Sequence, residues 1–246
     1  MSEQAFVYDT AQELEANKLT KEGYTFKGWS TTADGQVVYA DGESVKNLTS
    51  VPNGIVTLYA VWEANKYSVE FNANGGTGTM QEQEYVYDTE QALETNKFTK
   101  EGYTFKGWST TADGQVVYAN GASVKNLTSV PNGTTTLYAV WEINQYTVTF
   151  KDWDGSVLKT EQVAYNTEAT APADPTRDGY RFTGWDKTFD TITENTEITA
   201  QYVKTWNVTF QDEDGTVLKT ETVDEGTGAT APTEPVKEGH TFAGWD

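Results

Sequence analysis

The chain has 246 residues, with 17 Lys and Arg against 37 Asp and Glu, a formal charge of −20, one histidine and no cysteine. So large an acidic excess repels nucleic acid and anionic membrane surfaces. The missing thiols exclude disulfide staples, thiolate metal sites and cysteine nucleophiles.

No run approaches the ~20 apolar residues that a membrane helix needs, so no membrane insertion is expected. No charged-then-apolar leader stands before the first repeat, as in a segment of a longer secreted chain. Gly, Thr, Val and aromatic residues are abundant and turn residues recur closely, which points to a mostly β chain.

In chain order, "YDTAQELEANK" at 8–18 comes first, with Asp9 at an N-cap position, Gln12 three residues on and Asn17 placed to close the turn. That spacing predicts a two-turn helix and an α+β class. Next comes "GYTFKGW" at 23–29, repeated unchanged at 102–108 and altered as "GYRFTGW" at 179–185 and "GHTFAGW" at 239–245. A heptapeptide present four times marks a folding unit rather than one active site.

Strict alternation in this heptapeptide sets Trp29 opposite Tyr24 and Phe26. A bulge at Gly28 would return Trp29 to their side, so that all three rings share a core. The closing stretches "TLYAVW" at 57–62 and "EITAQY" at 197–202 match as Leu58 with Ile198, Ala60 with Ala200 and Trp62 with Tyr202, the inward positions. Opening strands alternate as Tyr67, Val69, Phe71, as Tyr146, Val148, Phe150 and as Trp206, Val208, Phe210.

Residues 4–63 align with 83–142 without a gap, 50 of 60 positions being identical, and "YTVTFKDWDGSVLKTEQV" at 146–163 matches "WNVTFQDEDGTVLKTETV" at 206–223. Four modules follow: residues 1–63, which lack an opening strand; 64–142; 143–203, of a shorter type; and 204–246, which stop before any closing strand. Joints such as "EANK" at 63–66 and "VKT" at 203–205 are too short for flexible tethers, so an elongated rod is expected.

Little in the sequence nominates chemistry. His240 stands where the other modules carry Tyr24, Tyr103 and Tyr180, as a core-edge substitute would, and no Ser-His-Asp or Cys-His set can be assembled. The tips "KDWDG" and "QDEDG" read as Asp-Gly hairpin turns, with a weak ion site as the alternative. "NANGGTG" at 72–78 has the glycines of a phosphate loop but no Lys-Ser/Thr pair, and reads as a turn. No catalytic, metal or cofactor residue is nominated. Trp153 is the exception, because its counterpart is Glu213 and a core position would not accept that change. An exposed indole there either stacks on a sugar or partner, or protects an edge and packs on the next module.

With "GYTFKGWSTTADG" and "LYAVWE" placed in order, modules one and two resemble the Listeria-Bacteroides repeat, also called the internalin B-repeat. "YTVTFKDWDGSVLKTEQVAYNTEATAPADPTRDGYRFTGWDKTFDTITENTEITAQY" resembles its shorter branch. The resemblance implies β-grasp-like modules in tandem within secreted or wall-anchored bacterial surface proteins, as stalk or adhesion segments. It carries over only structural residues: Phe26, Gly28, Trp29, Phe105, Gly107, Trp108, Phe182, Gly184, Trp185, Phe242, Gly244 and Trp245.

The expected role is a non-enzymatic extracellular spacer projecting a terminal binding domain, without a cofactor. Its rival is an adhesin array that meets a host glycan or protein through exposed tips, Trp153 first. The chain is expected to be a monomer or to associate weakly head to tail, module four of one molecule completing module one of the next.

Overall fold

The computed structural model describes residues 1–246 as an all-β chain of fifteen strands with no helix. It divides into two compact units, Met1–Glu142 and Ile143–Asp246.

In the first unit, module one contains β1 (Gln12–Glu13), β2 (Tyr24–Ser30), β3 (Ser44–Val45) and β4 (Tyr59–Ala64). β1 pairs with β3 and β2 with β4, both antiparallel. Module two contains β5 (Lys66–Asn72), β6 (Gln83–Val86), β7 (Gln91–Ala92), β8 (Tyr103–Ser109), β9 (Ser123–Val124) and β10 (Gly133–Ile143). Its main sheet has the order β6-β5-β10-β8, and β5 runs parallel to β10 from Tyr67 opposite Gly133 to Asn72 opposite Tyr138.

Alternation decides what each strand buries. Along β5, Tyr67, Val69 and Phe71 point into the core while Glu70 faces water. Beneath them lie Tyr85, Leu93, Trp108, Leu137 and Ala139, all buried. Module one has a smaller core around Leu14, Trp29 and Val45. β4 has no parallel neighbour there. Leu58 and Ala60 are accordingly half-buried where Leu137 and Ala139 are sealed, and Ile55 is 80% exposed.

The helix expected at 9–17 does not form, which also removes the helical part of the α+β expectation. Asp9 adopts a left-handed backbone (φ 58°), its amide donates to Asn47 Oδ1 at 2.6 Å, and its carboxylate accepts from Asn47 Nδ2 at 2.9 Å. Leu14 N–H then donates to the Glu43 carbonyl. Contacts reaching some 30 to 40 residues along the chain thus take the donors that a helix would have used. Leu14 is nevertheless buried and Ala11, Glu13 and Ala16 are exposed, although only Gln12 and Glu13 of this stretch lie in a strand.

In the second unit, β11 (Gln145–Lys151), β12 (Val157–Ala164), β13 (Tyr180–Trp185), β14 (Thr196–Gln211) and β15 (Val217–Asp224) form one sheet. β14 serves both modules. Its first part runs parallel to β11 and antiparallel to β13; from Thr205 onward it pairs with β15. Val148, Phe150, Ile192 and Ile198 are buried in module three.

The expected bulge is present. The β2–β4 register shifts between Phe26 and Gly28, and the β13–β14 register between Phe182 and Gly184. Gly107 shows why a side chain is refused there: its φ is 150°, and a Cβ would lie 2.6 Å from the Tyr118 carbonyl oxygen.

Candidate functional site

The heptapeptide residues are placed as follows. Trp29 and Trp108 are buried, each edge-to-face with its own Phe26 or Phe105 at centroid separations of 5.1 and 5.0 Å. Phe182 and Trp185 repeat the contact at 5.3 Å and Phe242 and Trp245 at 5.1 Å, partly buried in both cases. The glycine between the rings keeps positive φ throughout, from 127° at Gly244 and 129° at Gly184 to 147° at Gly28 and 150° at Gly107.

Two expectations need correction. In module four the heptapeptide lies in no strand, since no closing strand pairs with it, although Trp245 still packs on Phe210 at 5.0 Å. Tyr24 does not join the core. Its ring meets Tyr87 edge-on at 5.9 Å and its hydroxyl donates to Asp88 Oδ2 at 2.8 Å, both in the next module.

The first aromatic of the heptapeptide therefore marks a joint. There, Asn65 is buried and fully bonded. Its N–H donates to the Gly23 carbonyl, its carbonyl accepts from Tyr87 N–H, its Oδ1 accepts from the Thr25 hydroxyl and its Nδ2 donates to the Ser129 carbonyl. Hydrogen bonds from Asn126 first, and then from Tyr24, hold the Asp88 carboxyl below its usual range; the same Asp88 contact raises the Tyr24 phenol.

In the second unit, Thr205 N–H donates to the Gly179 carbonyl and Glu225 N–H to the Lys204 carbonyl. The Arg181 guanidinium pairs with both Asp224 oxygens across a shallow open cleft of about 550 Å³ and holds that carboxyl low. Residues of β13, β14 and β15 and of the turn after β15 line the cleft, and its one cation, Arg181, is already neutralised.

The tip of module three is the other candidate. Gly155 N–H donates to the Asp152 carbonyl and Asp152 N–H to the Ser156 carbonyl, so Asp-Gly closes the hairpin between β11 and β12. Asp154 accepts from Ser156, which lowers its pKa. Trp153 is 52% exposed. The Arg177 guanidinium lies 3.8 Å from its ring and 3.6 Å from that of Tyr180, so one indole face is covered.

Module four replaces both partners. Glu213 stands for Trp153 and Lys237 for Arg177, and the two form an ion pair. In each case the contact fastens the hairpin tip to the loop before the heptapeptide. That exchange explains why a Trp-to-Glu difference is tolerated, and it was readable in the sequence as two paired differences at the same offset.

Chemically, the arrangement offers stacking surfaces and paired charges. No group of three His, Asp or Glu side chains converges as a metal site, and His240 Nδ1 lies 3.0 Å from the Glu238 carbonyl oxygen.

The Listeria-Bacteroides repeat domain model matches residues 2–61, 67–140, 146–205 and 206–246. The chain is 32% identical over 252 residues to a protein described as a Gly-rich membrane protein of Evansella cellulosilytica, covering 94% of this chain and 28% of that one. It is 36% identical over 160 residues to internalin H of Listeria monocytogenes, covering 64% of this chain and 27% of that protein. The chain thus spans under a third of the length of each of these curated relatives. With repeats matched from end to end, the chain belongs to the Listeria-Bacteroides repeat family.

Proposed function

We propose that the chain is a non-enzymatic spacer, a tandem-repeat segment of a bacterial cell-surface or secreted protein that projects an adhesive domain. The observation that carries this reading is the joint. β4 ends at Ala64 and β5 starts at Lys66, with the single intervening residue buried, and β14 passes from module three to module four without a break. Adjacent modules so joined keep a defined spacing, which a spacer requires and a flexible linker lacks. Relatives whose names place them in membranes or among internalins, each more than three times the matched length, fit a repeat region within a larger surface protein.

An adhesin array is the second reading, favoured by the exposed Trp153, whose free indole face suits a sugar ring. Glycan and host-protein arrays separate the two. The spacer gives no ligand and a hydrodynamic size that grows with each added module. An adhesin gives binding that Trp153→Ala weakens and that added repeats strengthen.

A further inference from the structure

Chain entry and chain exit bracket one pair of strands in each complete module. In module two the chain enters at the start of β5 and leaves at the end of β10. The two strands are adjacent and parallel over six register pairs, Tyr67 with Gly133 through Asn72 with Tyr138. Because they point the same way, entry and exit lie at opposite ends of the pair. Tension between them drags β5 backwards and β10 forwards, along the strands and across the ladder, so that all the bonds of the pair carry load together. An antiparallel hairpin pulled apart at its open end loses its bonds one at a time.

Three further features serve the same end. The face beneath the pair is sealed: Val69, Leu137 and Ala139 are fully buried, so water cannot replace the strained bonds. Each strand is backed on its outer edge, β5 by β6 and β10 by β8. On the entry side no slack dilutes the pull, since Asn65 alone parts β4 from β5. Module three repeats the design with four register pairs, Val148 with Thr196 through Lys151 with Thr199. Module one has no parallel pair.

We infer that the parallel opening and closing strands are a shear clamp that makes modules two and three load-bearing, with module two the stronger. This deepens the spacer reading and rests on it for its purpose. The two fail separately: a ligand on the arrays removes the spacer, whereas the clamp is judged by force alone.

The absence of cysteine allows attachment points to be placed at will in the full chain. Lys66→Cys with Glu142→Cys pulls along the pair, and Lys66→Cys with Thr134→Cys pulls across it from one end; all three side chains are exposed. Single-molecule stretching at one loading rate should give an unfolding force several-fold higher along the pair than across it. Both events should lengthen the tether by roughly 25 nm at ~3.6 Å per residue. Equal forces, or a lower force along the pair, would overturn the clamp.

The unsubstituted chain pulled through its two ends gives a check that does not depend on the variants. Module three's shorter lengthening should come at lower force than module two's, and the reverse order would also overturn the inference. Forced unfolding reads the rate of barrier crossing, so a shift in equilibrium stability alone does not mimic the result.

Discussion

The side-chain amide of Asn65 donates to the carbonyl oxygen of Ser129 at 2.8 Å, tying the residue between two modules to a loop 64 positions further along. Asn65→Ala leaves that carbonyl and the Thr25 hydroxyl without their partner, a loss of about 1–3 kcal/mol. Asn65→Asp should cost more, because a carboxylate has nothing to donate to Ser129. Urea unfolding of the full chain measures both, and an unchanged midpoint for Asn65→Asp would show that the joint is not a fastening.

Trp108 anchors the module two core beneath Phe71, Phe98 and Phe105. Trp108→Ala should lose about 3–5 kcal/mol and melt module two while the second unit keeps its transition, as read by calorimetry. Trp108→Phe is the instructive control. The Trp108 indole N–H has no acceptor, so that change forfeits packing and no hydrogen bond. Trp141→Phe instead gives up a hydrogen bond, the one from Trp141 Nε1 to the Ala73 carbonyl at 2.9 Å, and leaves that carbonyl with Gly76 N–H alone. The larger loss should fall on Trp141 per atom removed.

The two hairpin tips are fastened by different physics, which salt distinguishes. A double-mutant cycle on Trp153 and Arg177 should give a coupling of about 0.5–1 kcal/mol that changes little with ionic strength. The same cycle on Glu213 and Lys237, an exposed ion pair, should give a comparable or smaller coupling that fades as salt is raised. Identical salt profiles would contradict the assignment.

Burial pushes the Tyr85 phenol from near 10 up to about 12. The native state then holds this proton more tightly than the unfolded chain. Its contribution to stability is complete below pH 10 and is lost as pH rises from 10 to 12. Denaturation measured at pH 9 and pH 12 should show a smaller alkaline loss for Tyr85→Phe than for the unsubstituted chain. Equal losses would mean that the phenol ionises freely in the folded state.

How much of this was legible differs residue by residue. The bulge at Gly28 was, because alternation and an aromatic on the wrong face conflict visibly within seven residues. The apparent helix at 9–17 was not. Its capping spacing is a local signal, and Asn47 and Glu43, which override it, stand far along the chain. Tyr24 alternates with Phe26 as a core residue does, and only the position of Asp88 in the folded chain shows that its ring belongs to a joint. The same limit explains "GHTFAGW" at 239–245, where a strand-forming sequence without a paired neighbour stays outside any strand. The fastening of Trp153 was within reach, since Trp153 and Arg177 change together to Glu213 and Lys237.

The sixteen-residue β14 has a bearing on how such chains are taken apart. Lys204 is bonded to the strand on one side and Thr205 begins the pairing on the other, so the boundary between two repeats falls inside a ladder. A protease that prefers slack backbone finds no purchase there, and trimming to single repeats must tear a sheet edge that both neighbours need. Gain or loss of repeats in such a chain is therefore a matter of rewriting the gene rather than of clipping the finished protein.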